Sequence, residues 1–383
     1  MEKALTLTHK LLKKTLKNKF GKINLNLRWF LKEIMRTKDV KDKLTHREKE
    51  RVLTGKDFLS TGSTMLNLAC TDYPDRGFAK GHYNLIVGTS RSGKTFLALT
   101  CLAEAARNPN FKDYRFIHDD VERGAMMDIG RFFGEEVQKR LKTYHSFTIE
   151  DFYYRLDTII KKGKPFIYIL DSMDALSSEF EIAKFDKKKK AHREEKDTAG
   201  SFGDGKAKVN SQNLRRAISS LEQTGSILIV INQTRDKLTG FGGKTHSGGH
   251  ALQFYATLEI WSDIKENIKK AYKGKDRLQG TLCTLRVKKN RIQGKDRTVQ
   301  MPIYNTYGMD DLGSCIDYLI SEKHWKKTSK GIIAPEFDFK GKRNKLIQMI
   351  SNENMEKDLS MIAADVWKEI EDAVAIKRKK RYT

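Results

Sequence analysis

Residues 82–107 read HYNLIVGTSRSGKTFLALTCLAEAAR. Within them Gly88, Thr89, Ser90, Arg91, Ser92, Gly93, Lys94 and Thr95 fit the spacing G-x-x-x-x-G-K-[ST]. The flanks carry as much information as the motif. An apolar run of strand length, 82–87, precedes it, and a Leu- and Ala-rich run of helical composition, 96–107, follows it. The glycines let backbone N–H groups curl around phosphate oxygens, and the helix N-terminus adds partial positive charge. Lys94 is placed to reach the β- and γ-phosphates of a nucleotide, and the Thr95 hydroxyl to ligate Mg²⁺. The stretch therefore predicts an α/β nucleotide-binding core.

Working outward, strand-like runs recur at YRFIH (114–118), PFIYIL (165–170), SILIVI (226–231), ATLEIW (256–261), TLCTLRV (281–287) and TVQMPIY (298–304). The first four runs, counting 82–87, are separated by helix-length segments. Continuous apolar runs of this kind mark strands covered on both faces of a parallel sheet. The last three follow one another closely, so the sheet is expected to end in antiparallel strands. Asp171 closes the third run, where a carboxylate beside the phosphate loop holds the water shell of Mg²⁺. HDDVERG (118–124) closes the second and offers Asp119, Asp120 and Glu122. One of these acids orients the attacking water, with Glu122 preferred and Asp120 second; the alternative is that they only complete the Mg²⁺ shell or cap a helix. Gln233 closes the fourth, where an amide donates to a γ-phosphate. It also begins 234–250, TRDKLTGFGGKTHSGGH, which has five glycines and no apolar periodicity. So long a loop in a compact domain is usually functional or disordered. A γ-phosphate sensor at its root makes it a two-state element.

The 383 residues include 74 Lys and Arg against 49 Asp and Glu, a formal charge of +25. Such an excess favours polyanionic partners. The four cysteines, Cys70, Cys101, Cys283 and Cys315, form no C-x-x-C pair, so neither a zinc ribbon nor a redox motif is indicated, and a reducing compartment fits. No apolar run reaches membrane-spanning length. Residues 1–55 read as a small helical N-terminal region and as a structural helix rather than a secretory signal. Residues 56–310 carry the core. The charged run IAKFDKKKKAHREEKDTA (182–199) reads as a solvated insertion or disordered excursion. Residues 311–383 read as a mostly helical, basic C-terminal region ending in AIKRKKRYT.

LSTGS (59–63), GTSRSGKT (88–95), ILDSMDAL (169–176), INQTR (231–235), SGGHALQFYA (247–256) and VKKNRI (287–292) occur in that order. Together they resemble the RecA-type recombinases, over about residues 58–325. DVERG, GDGKAKVNSQNLRRAI (203–218) and GMDDLGSCIDYLISEKHW (308–325) look more like the phage branch. The resemblance implies a RecA-like P-loop NTPase core of α/β class, a mostly parallel central sheet flanked by helices, with a small helical N-terminal and an α-rich C-terminal appendage. It implies an ATP- and Mg²⁺-dependent recombinase that filaments on single-stranded DNA and pairs it with duplex DNA. A single-strand-binding protein and a mediator are implied partners, and the bacterial cytoplasm, with a phage as source, the setting.

It also implies two DNA loops. The first falls near 200–210, with Lys206 and Lys208 on phosphates. The second is 234–250, with Arg235, Lys237 and Lys244 as its cations, Leu238 as a wedge between bases, and Gly248 and Gly249 bringing backbone amides close to DNA. Lys289 and Arg291 match positions that reach a neighbouring subunit's ATP. Two alternatives stand beside this reading. A ring-forming RecA-fold helicase shares the phosphate site but does not predict LSTGS or SGGHALQFYA. A non-hydrolysing recombination mediator need not keep Lys94, Thr95, Glu122, Asp171 and Gln233 together.

Overall fold

In a computed structural model of the chain, the described residues are 53–193, 204–236, 244–246, 249–379 and 381–382. The expected N-terminal helices lie outside them, as do Lys237, Leu238 and Gly248. Thr54–Thr383 form one unit. It begins with β1 (Phe58–Leu59), α1 (Thr64–Thr71) and β2 (Phe78–Ala79). The core follows as β3 (Tyr83–Gly88), α2 (Lys94–Arg107), β4 (Arg115–Asp120), α3 (Ile129–Phe133), α4 (Glu135–Arg140), β5 (Leu141–Tyr144), α5 (Ile149–Lys161) and β6 (Phe166–Asp171). Next come α6 (Glu179–Arg193), α7 (Asp204–Thr224), β7 (Ile227–Asp236), β8 (Lys244–His246) and α8 (His250–Tyr255). Strands β9 (Leu258–Tyr272), β10 (Lys275–Asn290), β11 (Arg297–Tyr304) and β12 (Gly308–Met309) complete the sheet.

The sheet has ten strands in the order β12-β11-β10-β9-β3-β7-β6-β4-β5, with β8 paired to β7. Strands β9, β3, β7, β6, β4 and β5 are mutually parallel, and β10, β11 and β12 continue antiparallel, as the runs predicted. Both faces are buried, and period-two alternation sorts the side chains. In β7, Ile227, Ile229 and Ile231 enter one core, while Leu228 and Val230 enter the other. Helix α5 shows the matching helical logic. Thr148 caps it by accepting from the Asp151 N–H at 3.1 Å, and Ile149, Phe152, Tyr153, Leu156 and Ile159 bury one stripe.

Three expectations need correction. The charged run at 182–199 is not a disordered excursion where it is described, because α6 carries helix through Arg193. Lys and Glu are good helix formers, and their charge does not prevent a solvated helix. Segment 234–250 is not wholly irregular. Strand β7 runs on to Asp236, and β8 pairs back with Thr234 opposite His246 and Arg235 opposite Thr245. The segment's described ends thus pair antiparallel as the two arms of a hairpin. Finally, the expected first DNA loop, near 200–210, is helical where it is described, since α7 starts at Asp204 and carries Lys206 and Lys208 on its first turns.

Strands β9 and β10 also extend well past the runs read from sequence, as a hairpin turning at Lys273 and Gly274. Beyond β12 the chain forms α9 (Asp311–Ser321), a three-stranded sheet of β13 (Lys326–Thr328), β14 (Gly331–Ala334) and β15 (Phe339–Gly341), then α10 (Arg343–Asn352) and α11 (Glu356–Val374). This region is tied to the N-terminal motif. The Asp311 carboxylate accepts from the Thr64 N–H at 2.6 Å and its hydroxyl at 2.7 Å, at the start of α1. LSTGS is thereby a packing and capping motif, with Ser63 accepting from the Leu66 N–H.

Candidate nucleotide and DNA site

Sheet register alone gathers the candidate site. Gly88 lies opposite Gln233 on one side and Ser262 on the other, and Asp120 lies opposite Asp171. All are at the carboxyl edge of the parallel strands, where open α/β sheets place ligands. Gly93 begins α2 with φ +80°, and a Cβ there would lie 2.3 Å from Ile303 Cδ1. A side chain there would be strained and would have to push Ile303 aside. Ser92 is fully buried, and its hydroxyl donates to the Thr89 carbonyl at 2.8 Å. Lys94 Nζ donates to the same carbonyl at 2.6 Å, so the loop's cation sits inside the curl that phosphates would fill. Burial holds the Lys94 amine below its ordinary range, while Asp171, Glu122 and Asp263 pull it back up. A ligand phosphate would supply the missing countercharge.

The Thr95 hydroxyl donates to Asp171 Oδ2 at 2.5 Å. His118, buried on β4, aims Nε2 at that carboxylate from 3.8 Å and has no hydrogen-bond partner there. One hydroxyl and one carboxylate suit Mg²⁺, which keeps several waters and takes the rest of its shell from phosphate. Among the described residues no group of three or more His, Cys, Asp or Glu could form an all-protein metal cage, and Mg²⁺ held this way does not need one.

The acids of HDDVERG separate cleanly. Asp119 is fully buried and accepts from the Ser146 N–H and hydroxyl and from the Tyr168 hydroxyl at 2.6 Å, a structural role. Asp120 accepts from the Gly124 and Ala125 N–H groups, both at 3.2 Å, so it holds its own turn. Glu122 faces the site. Its Oε1 accepts from the Ser172 hydroxyl at 2.6 Å and from Gln233 Nε2 at 2.8 Å. The candidate sensor and the Ser172 hydroxyl therefore both donate to one oxygen of the candidate base.

The chain matches the family model described as RecA N-terminal domain over residues 30–310. It belongs to that family. Protein RecA of Gluconacetobacter polyoxogenes is 30% identical over 270 residues, 70% of this chain and 71% of that protein. Protein RecA of Caulobacter sp. (strain K31) is 29% identical over 266 residues, 68% and 67% of the two. The mitochondrial DNA repair protein recA homolog 3 of Arabidopsis thaliana is 29% identical over 275 residues, 69% of this chain but only 57% of that protein.

In this family member four of the candidate DNA and interface cations, Lys206, Arg235, Lys289 and Arg291, are occupied by partners of their own chain. Arg235 makes a two-pronged contact with Asp174, Nε to Oδ1 at 3.2 Å and Nη2 to Oδ2 at 3.1 Å. Lys206 Nζ donates to the Asp174 carbonyl at 3.3 Å, while Lys208 is exposed. Lys289 Nζ donates to the Gln253 and Phe254 carbonyls at 2.6 and 2.8 Å, and Arg291 Nη2 to the Phe254 carbonyl at 2.7 Å. Lys244 lies in β8, and Gly249 opens α8. Sequence reading missed Ser172 and Asp174. Both sit inside ILDSMDAL beside Asp171, so their nearness was the available signal. Among the described residues no helix is long and apolar enough to cross a membrane.

Proposed function

We propose that this chain is an ATP-dependent DNA recombinase, filamenting on single-stranded DNA and promoting homologous pairing and strand exchange with DNA-stimulated ATP hydrolysis. The observation that carries the reading is the 2.8 Å hydrogen bond from Gln233 Nε2 to Glu122 Oε1. It joins the water-orienting carboxylate to the root of the β7–β8 hairpin. In this reading Glu122 accepts the proton of the attacking water. Lys94 and the loop N–H groups hold the phosphates, and Thr95 and Asp171 hold Mg²⁺, which neutralises phosphate charge when bound. Gln233 turns from Glu122 to the γ-phosphate, which moves β7 and hence the hairpin.

Lys206, Lys208, Arg235, Lys237 and Lys244 then meet DNA phosphates, Leu238 wedges between bases, and Gly248 and Gly249 bring the backbone close. Lys289 and Arg291 act on the neighbouring subunit's nucleotide, and residues 1–55 serve filament docking. The net charge of +25 supports a polyanionic partner. The DVERG pattern, with Glu122 at the site, supports the phage branch and with it the bacterial cytoplasm. The direct test is ATP-dependent pairing of a labelled single strand with homologous duplex. Joint molecules that need ATP and homology support the reading. ATP hydrolysis without joint molecules, or closed rings in place of filaments on single-stranded DNA, would favour a motor instead.

A further inference from the structure

One buried acid near the interface cations has no part in that reading. Glu259, on β9, has no exposed surface. Its Oε1 accepts from Trp261 Nε1 at 2.6 Å and from Gln253 Nε2 at 3.2 Å, while its Oε2 is buried without a hydrogen-bond partner. A carboxylate at that depth is tolerated only beside strong donors or a cation. The cation directly across from it in the β9–β10 register is Lys289. Lys289 feels it, because burial and Arg291 push the amine's proton affinity down and Glu259 opposes them.

The helix between these groups is short, and both of its ends matter. At the C-terminal end of α8, Lys289 and Arg291 satisfy the Gln253 and Phe254 carbonyls, where cations also suit the helix dipole. At the N-terminal end a Cβ on Gly249 would lie 2.7 Å from Ala207 Cβ, so α8 abuts the first turn of α7 where the second DNA segment ends. Gln253 pins the side of the helix to Glu259. One six-residue helix thus touches both candidate DNA segments and both interface cations.

Resting on the recombinase reading, we infer that Glu259 is a positioning residue. Its buried carboxylate, across from Lys289 and bonded to Gln253, holds Lys289 on the end of α8 and withholds the Lys289–Arg291 pair from a neighbour's nucleotide until DNA displaces α8. The acid acts as a brake on hydrolysis without DNA, through Lys289 and without touching the nucleotide.

Glu259→Gln keeps the shape and an acceptor for Trp261 but removes the charge. ATP hydrolysis without DNA should rise roughly fivefold or more, the scale of an ordinary coupling between sites. Hydrolysis on single-stranded DNA should change little, so the stimulation ratio falls. Glu259→Asp, which restores the charge, should recover the low DNA-free rate. A purely structural acid would instead lower both rates together. Wild-type stimulation in Glu259→Gln overturns the inference, whereas a wild-type protein that DNA does not stimulate overturns the recombinase reading itself. If Glu259→Gln does not fold, Trp261 emission decides, taken as the difference between the wild type and Trp261→Phe. It should shift when a non-hydrolysable ATP analogue and single-stranded DNA are added together, and an unchanged emission overturns the inference.

Discussion

The phosphate loop and the candidate DNA and interface cations are held in opposite ways. The loop is fixed by backbone and by sheet register, and its lysine rests on the Thr89 carbonyl within the curl it will share with phosphate. The cations Arg235, Lys289 and Arg291 are parked on acceptors elsewhere in the chain: the Asp174 carboxylate for the first and the last carbonyls of α8 for the other two. A nucleotide finds its site nearly assembled. On the proposed reading, DNA or a neighbouring subunit takes its cations away from internal partners. Binding at the second kind of site is therefore conditional, and conditional contacts are what a switch requires.

The largest expected effect falls on the preassembled side. Glu122→Gln should lower the ATP turnover number by about 10²–10⁴-fold, the usual contribution of a general base, while nucleotide binding persists. Phosphate release and equilibrium nucleotide binding measure the two separately. Retained turnover would move the role to another group. On the conditional side, Arg291→Ala should lower DNA-stimulated hydrolysis by roughly 10²–10³-fold, as for loss of a donor to developing charge. Mixing it with Glu122→Gln subunits sharpens the comparison. If Arg291 acts across a subunit boundary, mixed filaments regain hydrolysis that neither variant has alone, and no recovery would confine Arg291 to its own subunit.

The Arg235–Asp174 pair predicts a smaller change. Asp174→Asn should raise affinity for single-stranded DNA by about two- to fivefold, because an ion pair whose arginine is largely exposed is worth little. Arg235→Ala should weaken binding and flatten the salt dependence by about 0.7 in the log–log slope. The smallest effect concerns the interior. Burial pushes the Cys283 thiol up to about 11, opposed by nearby Lys94, and raises Cys70, Cys101 and Cys315 further. The folded protein should react slowly with a thiol reagent at pH 8 and faster as pH rises towards 11, with Cys283 first. Fast reaction of all four at pH 8 would contradict the packing beneath the loop.

What the sequence revealed divides along the same line. Lys94 and Thr95 were named by the phosphate-loop spacing at the start of α2, and Asp171, Glu122 and Gln233 by the buried runs that they close or follow. Parallel register then brings those ends together without further information. The extent of the β9–β10 hairpin was not legible, since KENIKKAYKGKDRLQ packs no face and so carries no alternation. Helix α6 was hidden for the same reason, because charge reads as solvation whether or not the backbone is helical. The internal partners Asp174 and Glu259 were invisible for another reason. A residue such as Asp174, 61 positions from Arg235, is joined to it only by tertiary packing.

The most direct measurement compares affinity for single-stranded DNA with ADP and with a non-hydrolysable ATP analogue, in the wild type and in Gln233→Ala. The account predicts that the wild type binds more tightly with the ATP analogue. Gln233→Ala should bind both nucleotides normally yet show the same DNA affinity with each. A Gln233→Ala protein that keeps the ATP-induced rise would contradict the Glu122–Gln233 link, and the β7–β8 hairpin would then be a DNA contact without a sensor.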